Sequence, residues 1–240
     1  MIGLGTLINT GAIIVGGVAG HLFGNLIKDR HRESLQTACG ISVIFIGIAG
    51  AMEGMLKTGE NGGITSGKAM FLTICIALGT LIGELLNIEG LLERFGEWLK
   101  KKTGNAKDAN FVNGFVTASL TVCVGAMAIV GSIQDGIKGD WSILGTKAIL
   151  DLVIVMVMTA SLGKGCIFSA IPVFAIQGSV TLLAVAVGGF MTAEALAYIS
   201  FVGSVLIACV GINLVWGKKV RVANMIPALI FAATAAYLEL

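Results

Sequence analysis

Apolar positions along this chain run together in stretches of about twenty residues, separated by short polar patches. That length suits a helix crossing the roughly 30 Å hydrocarbon layer of a bilayer. The pattern predicts helices over residues 3–26, 35–56, 69–86, 110–133, 142–162, 166–190, 194–216 and 222–240. Between the third and fourth lies a stretch of different character. In residues 88–102, Leu91, Leu92, Phe95, Trp98 and Leu99 recur at helical spacing among Glu93, Arg94, Glu97 and Lys100. This is the pattern of an amphipathic helix lying flat at the membrane interface. Trp98 would sit at headgroup level, and Lys100, Lys101 and Lys102 would meet anionic lipid. The connections read as a charged turn over 28–33, a Gly-rich polar loop over 57–68 and a turn over 134–140. The expected fold is an all-α integral membrane protein, a single polytopic domain over 1–240, with about eight spans, one interfacial helix and internal repeats as an option.

Composition strengthens this reading. The chain has 240 residues, of which 56% are hydrophobic and 12% charged, with a mean hydropathy of +0.93. Soluble domains carry about 25% charged residues. No polar segment is long enough for a soluble catalytic domain, and the first apolar run lacks a basic flank before it, so it reads as a retained helix. Segments 27–34, 87–109, 163–165 and 217–221 hold twelve of the 16 basic residues. The others are Lys57, Lys68, Lys138 and Lys147. The positive-inside rule puts the first set in the cytoplasm and both termini outside. The 34 glycines suit close helix contacts. Two short stretches echo one another, Gly16-x-x-x-Gly20-His21-Leu22 and Gly79-x-x-x-Gly83-Glu84-Leu85. A duplicated helical unit and chance Gly-rich similarity both fit the echo.

The chemistry concentrates between Asn113 and Asp151. On the fourth helix Asn113, Thr117, Thr121, Gly125, Ala128, Ser132 and Asp135 follow at steps of three and four, making one small, polar face. Small polar residues serve close helix packing and a solute path equally well. Asp151 lies deep in an apolar run, where an isolated carboxylate costs roughly 2.5 kcal/mol or more. It reads either as a proton, cation or amine site or as an ion pair with Lys147, one turn away. Asp135, Gln134 and Lys147 are candidates for a gate or mouth. Gln177, Ser179 and Thr181 stand near mid-depth beside Gly178, where the helix either breaks or stays intact with Gln177 bonded to a neighbour. His21 and Glu84 hold matching positions in the echoed motif and are candidates for a proton relay. The five cysteines are scattered, with no metal spacing. No P-loop, GxSxG, HExxH or dinucleotide fingerprint is present, so the sequence suggests no enzyme, cofactor, metal or nucleic-acid partner.

Two motifs carry a resemblance. The first is Gly5-Thr6-Leu7-Ile8-Asn9-Thr10-Gly11 with its Gly-rich continuation to Gly20. The second is Gly131-Ser132-Ile133-Gln134-Asp135-Gly136 followed by Asp151. Together they resemble the YqgA/YdfK-like bacterial membrane proteins, grouped as a domain of unknown function, over the whole chain. The resemblance implies a multi-pass protein of the bacterial cytoplasmic membrane and supplies neither substrate nor site residues.

The function expected from these features is secondary transport of a small solute or ion, coupled to protons or sodium. Asp151 would carry the ion or a substrate cation, Thr117, Thr121 and Ser132 would line the path, and Gln177 would face them. A channel using the same stripe, or a membrane scaffold or sensor acting through 88–102, are the alternatives. Membrane lipid, the small solute or ion and a second copy of the chain are the expected partners.

Overall fold

A computed structural model describes residues 1–24, 29–58, 63–123, 126–187 and 192–236. Eleven helices occur among them: α1 (Leu4–Gly24), α2 (Asp29–Met55), α3 (Ala69–Leu86), α4 (Ile88–Lys102), α5 (Phe111–Cys123), α6 (Ala126–Lys138), α7 (Ser142–Leu162), α8 (Ala170–Val187), α9 (Ala193–Trp216), α10 (Val222–Met225) and α11 (Ala228–Ala235). A 3-10 turn, Lys164–Ser169, leads into α8. Strands β1 (Leu56–Thr58) and β2 (Ile64–Ser66) pair antiparallel as a small hairpin in the loop before α3. The protein is an all-helical membrane protein. Five described helical segments are long and apolar enough to cross a membrane, or six if α5 and α6 count as one bent span. The apolar part of α2, Gly40–Met55, and the segment Val222–Ala235 are shorter.

The structure departs from the sequence pattern in several places. Residues 110–133 do not form one straight helix: α5 and α6 meet at 73°, and Val124 and Gly125 between them lie outside the described residues. The small, polar period continues through the join, so periodicity alone conceals the change of direction. The charged stretch after α1 is helical from Asp29 onward, with Arg30, His31 and Glu33 exposed. Residues 134–138 continue α6 and are not a turn. α8 runs unbroken through Gly178. The last apolar run is two short helices joined at Ile226 and Pro227, the proline lacking the N–H that a continuous helix needs.

In lipid, apolar side chains gain nothing by leaving their solvent for one another, so close backbone packing holds helices together. Glycines supply it here. Gly5, Gly16, Gly20 and Gly24 of α1 lie against Leu144, Leu152, Met156 and Ala160 of α7, so the two helices run parallel. Gly40, Gly47 and Gly54 of α2 meet Leu214, Ala208 and Phe201 of α9 in antiparallel order. Gly79 and Gly83 of α3 meet Ala228 and Asn224. The echoed glycine pairs thus share one packing demand, in which a Cβ would strike a neighbouring backbone. Buried Val202, Leu206 and Val210 of α9 belong to the core, whereas Val15 and Leu22 of α1 and Leu81 and Leu85 of α3 stay exposed, as lipid-facing positions do.

The contacts also gather the basic segments at one end. Gly24 reaches Ala160, Gly165 fits against the Phe111 carbonyl, Arg221 pairs with Glu84 at 3.0 Å, and Lys218 pairs with Glu89 at 2.5 Å.

Candidate functional site

Asp151 is 4% exposed and sits near the middle of α7. At 1.5 Å per residue it lies about 14 Å from one end of that helix and about 17 Å from the other. Lys147, one turn earlier, forms a buried ion pair with it. A second partner fixes the lysine. The Lys147 ammonium donates to the Val122 carbonyl, in the last described turn of α5, at 2.8 Å. The cation is therefore held by a backbone oxygen as well as by a carboxylate.

From this pair a ladder of buried polar contacts climbs α1 toward its N-terminus. The Asn9 side chain approaches the Asp151 carboxylate, and its amide donates to Gln177 of α8 at 3.3 Å. One turn earlier, the hydroxyls of Thr6 and Thr181 meet at 3.5 Å. At the next rung, the Gly5 N–H in the first turn of α1 donates to Asp135 of α6 at 3.0 Å. Asn9 and Asp135 are fully buried, and Gln177 nearly so. Each keeps one polar atom without a hydrogen-bond partner: Asn9 Oδ1, Asp135 Oδ1 and Gln177 Nε2. Such atoms carry a desolvation cost of about 1–3 kcal/mol each and are ready to meet a ligand or water.

On the other side of the pair, toward the basic end, a cavity of about 360 Å³ lies between α4, α5 and α9. Asn113, Thr117 and Leu120 line its α5 wall, and Leu120 stands two residues before Val122. Glu89, Glu93 and Lys218 lie at its polar side. A sharp turn positions Glu89. Asn87 adopts a left-handed conformation (φ +49°), which asparagine tolerates, and so ends α3. Its side chain then caps α4 by accepting the Gly90 N–H at 3.3 Å. Lys218 bridges Glu89 at 2.5 Å and Glu93 at 2.6 Å. Burial lowers the Lys218 pKa, but hydrogen bonding and attraction from the two carboxylates outweigh it and hold the ammonium above the usual lysine range.

The sequence-derived candidates thus fall into different surroundings. Asp151 and Lys147 stand together, and Gln177 reaches them through Asn9. Thr117 lines the cavity, and the Thr121 hydroxyl donates back to the Thr117 carbonyl at 2.8 Å. Ser132 is buried and donates to the Ala128 carbonyl of its own helix. Asp135 caps α1, and Gln134 beside it is half-buried. His21 borders a hollow with Asp108, Thr159 and Lys164, whereas Glu84 pairs with Arg221. The structure therefore does not bring His21 and Glu84 together as a relay. Asn9, Thr6, Thr181 and Glu89 join the site through partners more than 100 residues away in the chain. A lone Asn inside a Gly-rich apolar run was the signal available for Asn9.

Comparison with known proteins agrees with the architecture. Residues 4–237 match the family described as "Protein of unknown function (DUF554)". The "Uncharacterized membrane protein YdfK" of Bacillus subtilis (strain 168) is 28% identical over 226 residues, 94% of this chain and 92% of that protein. The "Uncharacterized protein YqgA" of Escherichia coli (strain K12) is 26% identical over 233 residues, 95% of this chain and 94% of that protein. No solved structure matches the chain. With nearly its whole length aligned to that family, the chain belongs to DUF554, a family of membrane proteins whose function is unknown.

Proposed function

We propose that this protein is a secondary transporter of a small solute or ion in the bacterial cytoplasmic membrane, coupled to protons or sodium through Asp151. The observation that carries the reading is the buried pair near the middle of α7, where Lys147 is held both by Asp151 and by the Val122 carbonyl of α5. Many carriers place their substrate and coupling-ion sites near the bilayer midplane, and ionisable side chains at that depth mark them. The polar ladder to the α1 N-terminus and the cavity toward the basic end give this centre polar surroundings on both sides. A cation arriving at Asp151 would compete with Lys147, which would then rely on the Val122 carbonyl. That exchange is a means of coupling, because the pair is intact in one state and divided in the other. The basic end faces the cytoplasm in this reading.

The test is flux in proteoliposomes under imposed proton or sodium gradients, across a panel of small amines, amino acids and carboxylates. Saturating, gradient-dependent uptake that Asp151→Asn abolishes supports the reading. Uptake that never saturates and ignores both gradients makes the protein a channel. Flux in Asp151→Asn equal to the wild type removes the aspartate from the mechanism.

A further inference from the structure

The fold divides the surface of α4 into three faces. Glu89, Gly96 and Leu99 are buried, and Gly96 lies against Phe115 and Val112 of α5. Leu91, Phe95 and Trp98, at steps of four and three, are exposed on a second face. Arg94, Glu97 and Lys101, at steps of three and four, are exposed on a third. With 3.6 residues per turn, the apolar and charged faces stand at roughly a right angle to one another. A helix between a protein and one solvent shows two faces, inner and outer. Three faces suit a helix that meets protein, hydrocarbon and water at once. The apolar face also follows directly on Leu85 and Leu86, exposed at the end of α3 on its lipid-facing side. Hydrocarbon that covers α3 therefore reaches α4.

The last turn of α4 adds charge that the fold leaves unmatched. Lys218 and Arg221, at the same end of the molecule, pair with glutamates. Among the described residues no carboxylate pairs with Lys100, Lys101 or Lys102, not even Glu97 one turn before Lys101. The helix end does not require their ammonium groups either. Gly104, at φ +73°, turns the chain so that its N–H donates to the Lys101 carbonyl at 3.3 Å and the Asn105 N–H to the Lys100 carbonyl at 2.9 Å. These two bonds satisfy the carbonyls that a helix end leaves open. Lys102 shows where its charge goes instead. Its ammonium lies 4.8 Å from the centre of the Trp98 ring, which in turn stacks on Phe95. The lysine stem thus runs along the apolar face and sets its charge at the edge. A tryptophan at such an edge marks the level of lipid headgroups.

We infer that the outer side of α4 is a docking site for an acidic phospholipid, its headgroup on Lys101 and Lys102 and an acyl chain along Trp98, Phe95 and Leu91. Charge decides the kind of lipid. A zwitterionic headgroup has no net charge to offer two unpaired ammonium groups, whereas an acidic one is attracted by both. The lipid holds α4 to the bilayer and, through the close contact at Gly96, steadies α5. The inference is independent of the transport reading, since it requires only α4 and a bilayer.

The experiment uses Trp98 as its own reporter. The chain has three tryptophans, and the other two, Trp141 and Trp216, are exposed, so Trp141→Phe with Trp216→Phe leaves Trp98 as the sole fluorophore. The full chain is placed in nanodiscs of phosphatidylcholine with a minor fraction of phosphatidylglycerol. Bromine, which quenches tryptophan on contact, is carried on the chains of the phosphatidylglycerol or of an equal fraction of the phosphatidylcholine. Brominated phosphatidylglycerol is expected to quench Trp98 more strongly, by a local enrichment of about fivefold or more. Lys101→Gln with Lys102→Gln, both at exposed positions, is expected to bring the two lipids level, and high salt is expected to narrow the difference. Lys138→Gln, an exposed lysine outside α4, is expected to change nothing. Equal quenching by the two lipids in the unsubstituted α4 overturns the inference, and so does an enrichment that survives the double lysine variant. Absence of quenching by either lipid overturns it as well and leaves protein, such as a second copy of the chain, as the cover of this face.

Discussion

The Asp135 carboxylate of α6 accepts the backbone N–H of Gly5 in the first turn of α1 at 3.0 Å, across 130 residues of sequence. A helix start leaves N–H groups without internal partners and carries partial positive charge, and a carboxylate answers both. Asp135→Ala should lower stability by about 1–3 kcal/mol, the cost of stranding a buried donor. Asp135→Asn keeps an acceptor and should lose less. Unfolding midpoints of the two variants in lipid nanodiscs decide. Equal and negligible losses would mean that the cap contributes nothing.

The Lys147–Asp151 pair should show strong coupling. Removing one partner strands a buried charge, so Asp151→Asn and Lys147→Met should each cost about 3–5 kcal/mol. The double variant should cost clearly less than the sum, since neither charge remains. A double-mutant cycle on unfolding free energy measures this, and additive losses would deny the pair its energetic role.

Glycines should divide by what a methyl group would meet. At Gly20 and Gly83 a Cβ would overlap the carbonyl oxygens of Met156 and Asn224, which are backbone and cannot turn aside. Alanine there should cost about 1–3 kcal/mol. At Gly11 and Gly178 nothing lies within 4 Å. Alanine at those two positions should be neutral or stabilising by up to about 1 kcal/mol through helix propensity. Melting temperatures of the four variants, taken side by side, should fall into two groups.

The Lys218 bridge should give way only in alkali. Its folded pKa lies above the ordinary 10.5, so the contribution to stability is fully present at neutral pH and up to the ordinary lysine range. It is lost as the pH rises through the higher folded value. Wild type should therefore be more stable than Lys218→Gln at neutral pH, and the two melting curves should converge in strong alkali. A gap that persists there would assign the effect to packing of the lysine stem.

Hydropathy made the apolar segments legible because lipid imposes it residue by residue, and it marked Asp151 because a carboxylate in such a run is conspicuous. The ion-pair alternative for Asp151 was also legible, since Lys147 is one turn away on the same helix. What depends on distant partners was not. Nothing local says that Asn9 meets Gln177 or that Thr6 meets Thr181. Asp135 read as part of a turn because Gly136 and Gly139 follow it, yet α6 carries it into the interior. The change of direction after α5 was hidden for a related reason: small residues serve a straight helix face and a helix end equally well. Glu89 lies within the amphipathic stretch 88–102, and only the turn at Asn87 and the approach of Lys218 show it enclosed.

The parallel embrace of α1 and α7 has a consequence for biosynthesis. Asn9 leaves the ribosome 168 residues before Gln177. At about 5–20 residues per second, that interval is on the order of ten to thirty seconds. During it, the first helix must wait in or near the membrane with its Thr6 and Asn9 side chains still lacking their eventual partners, and its glycine seam faces nothing until α7 arrives. The newborn chain therefore passes through a long adolescence, in which lipid, the insertion machinery or a temporary companion helix must shelter what the finished protein encloses.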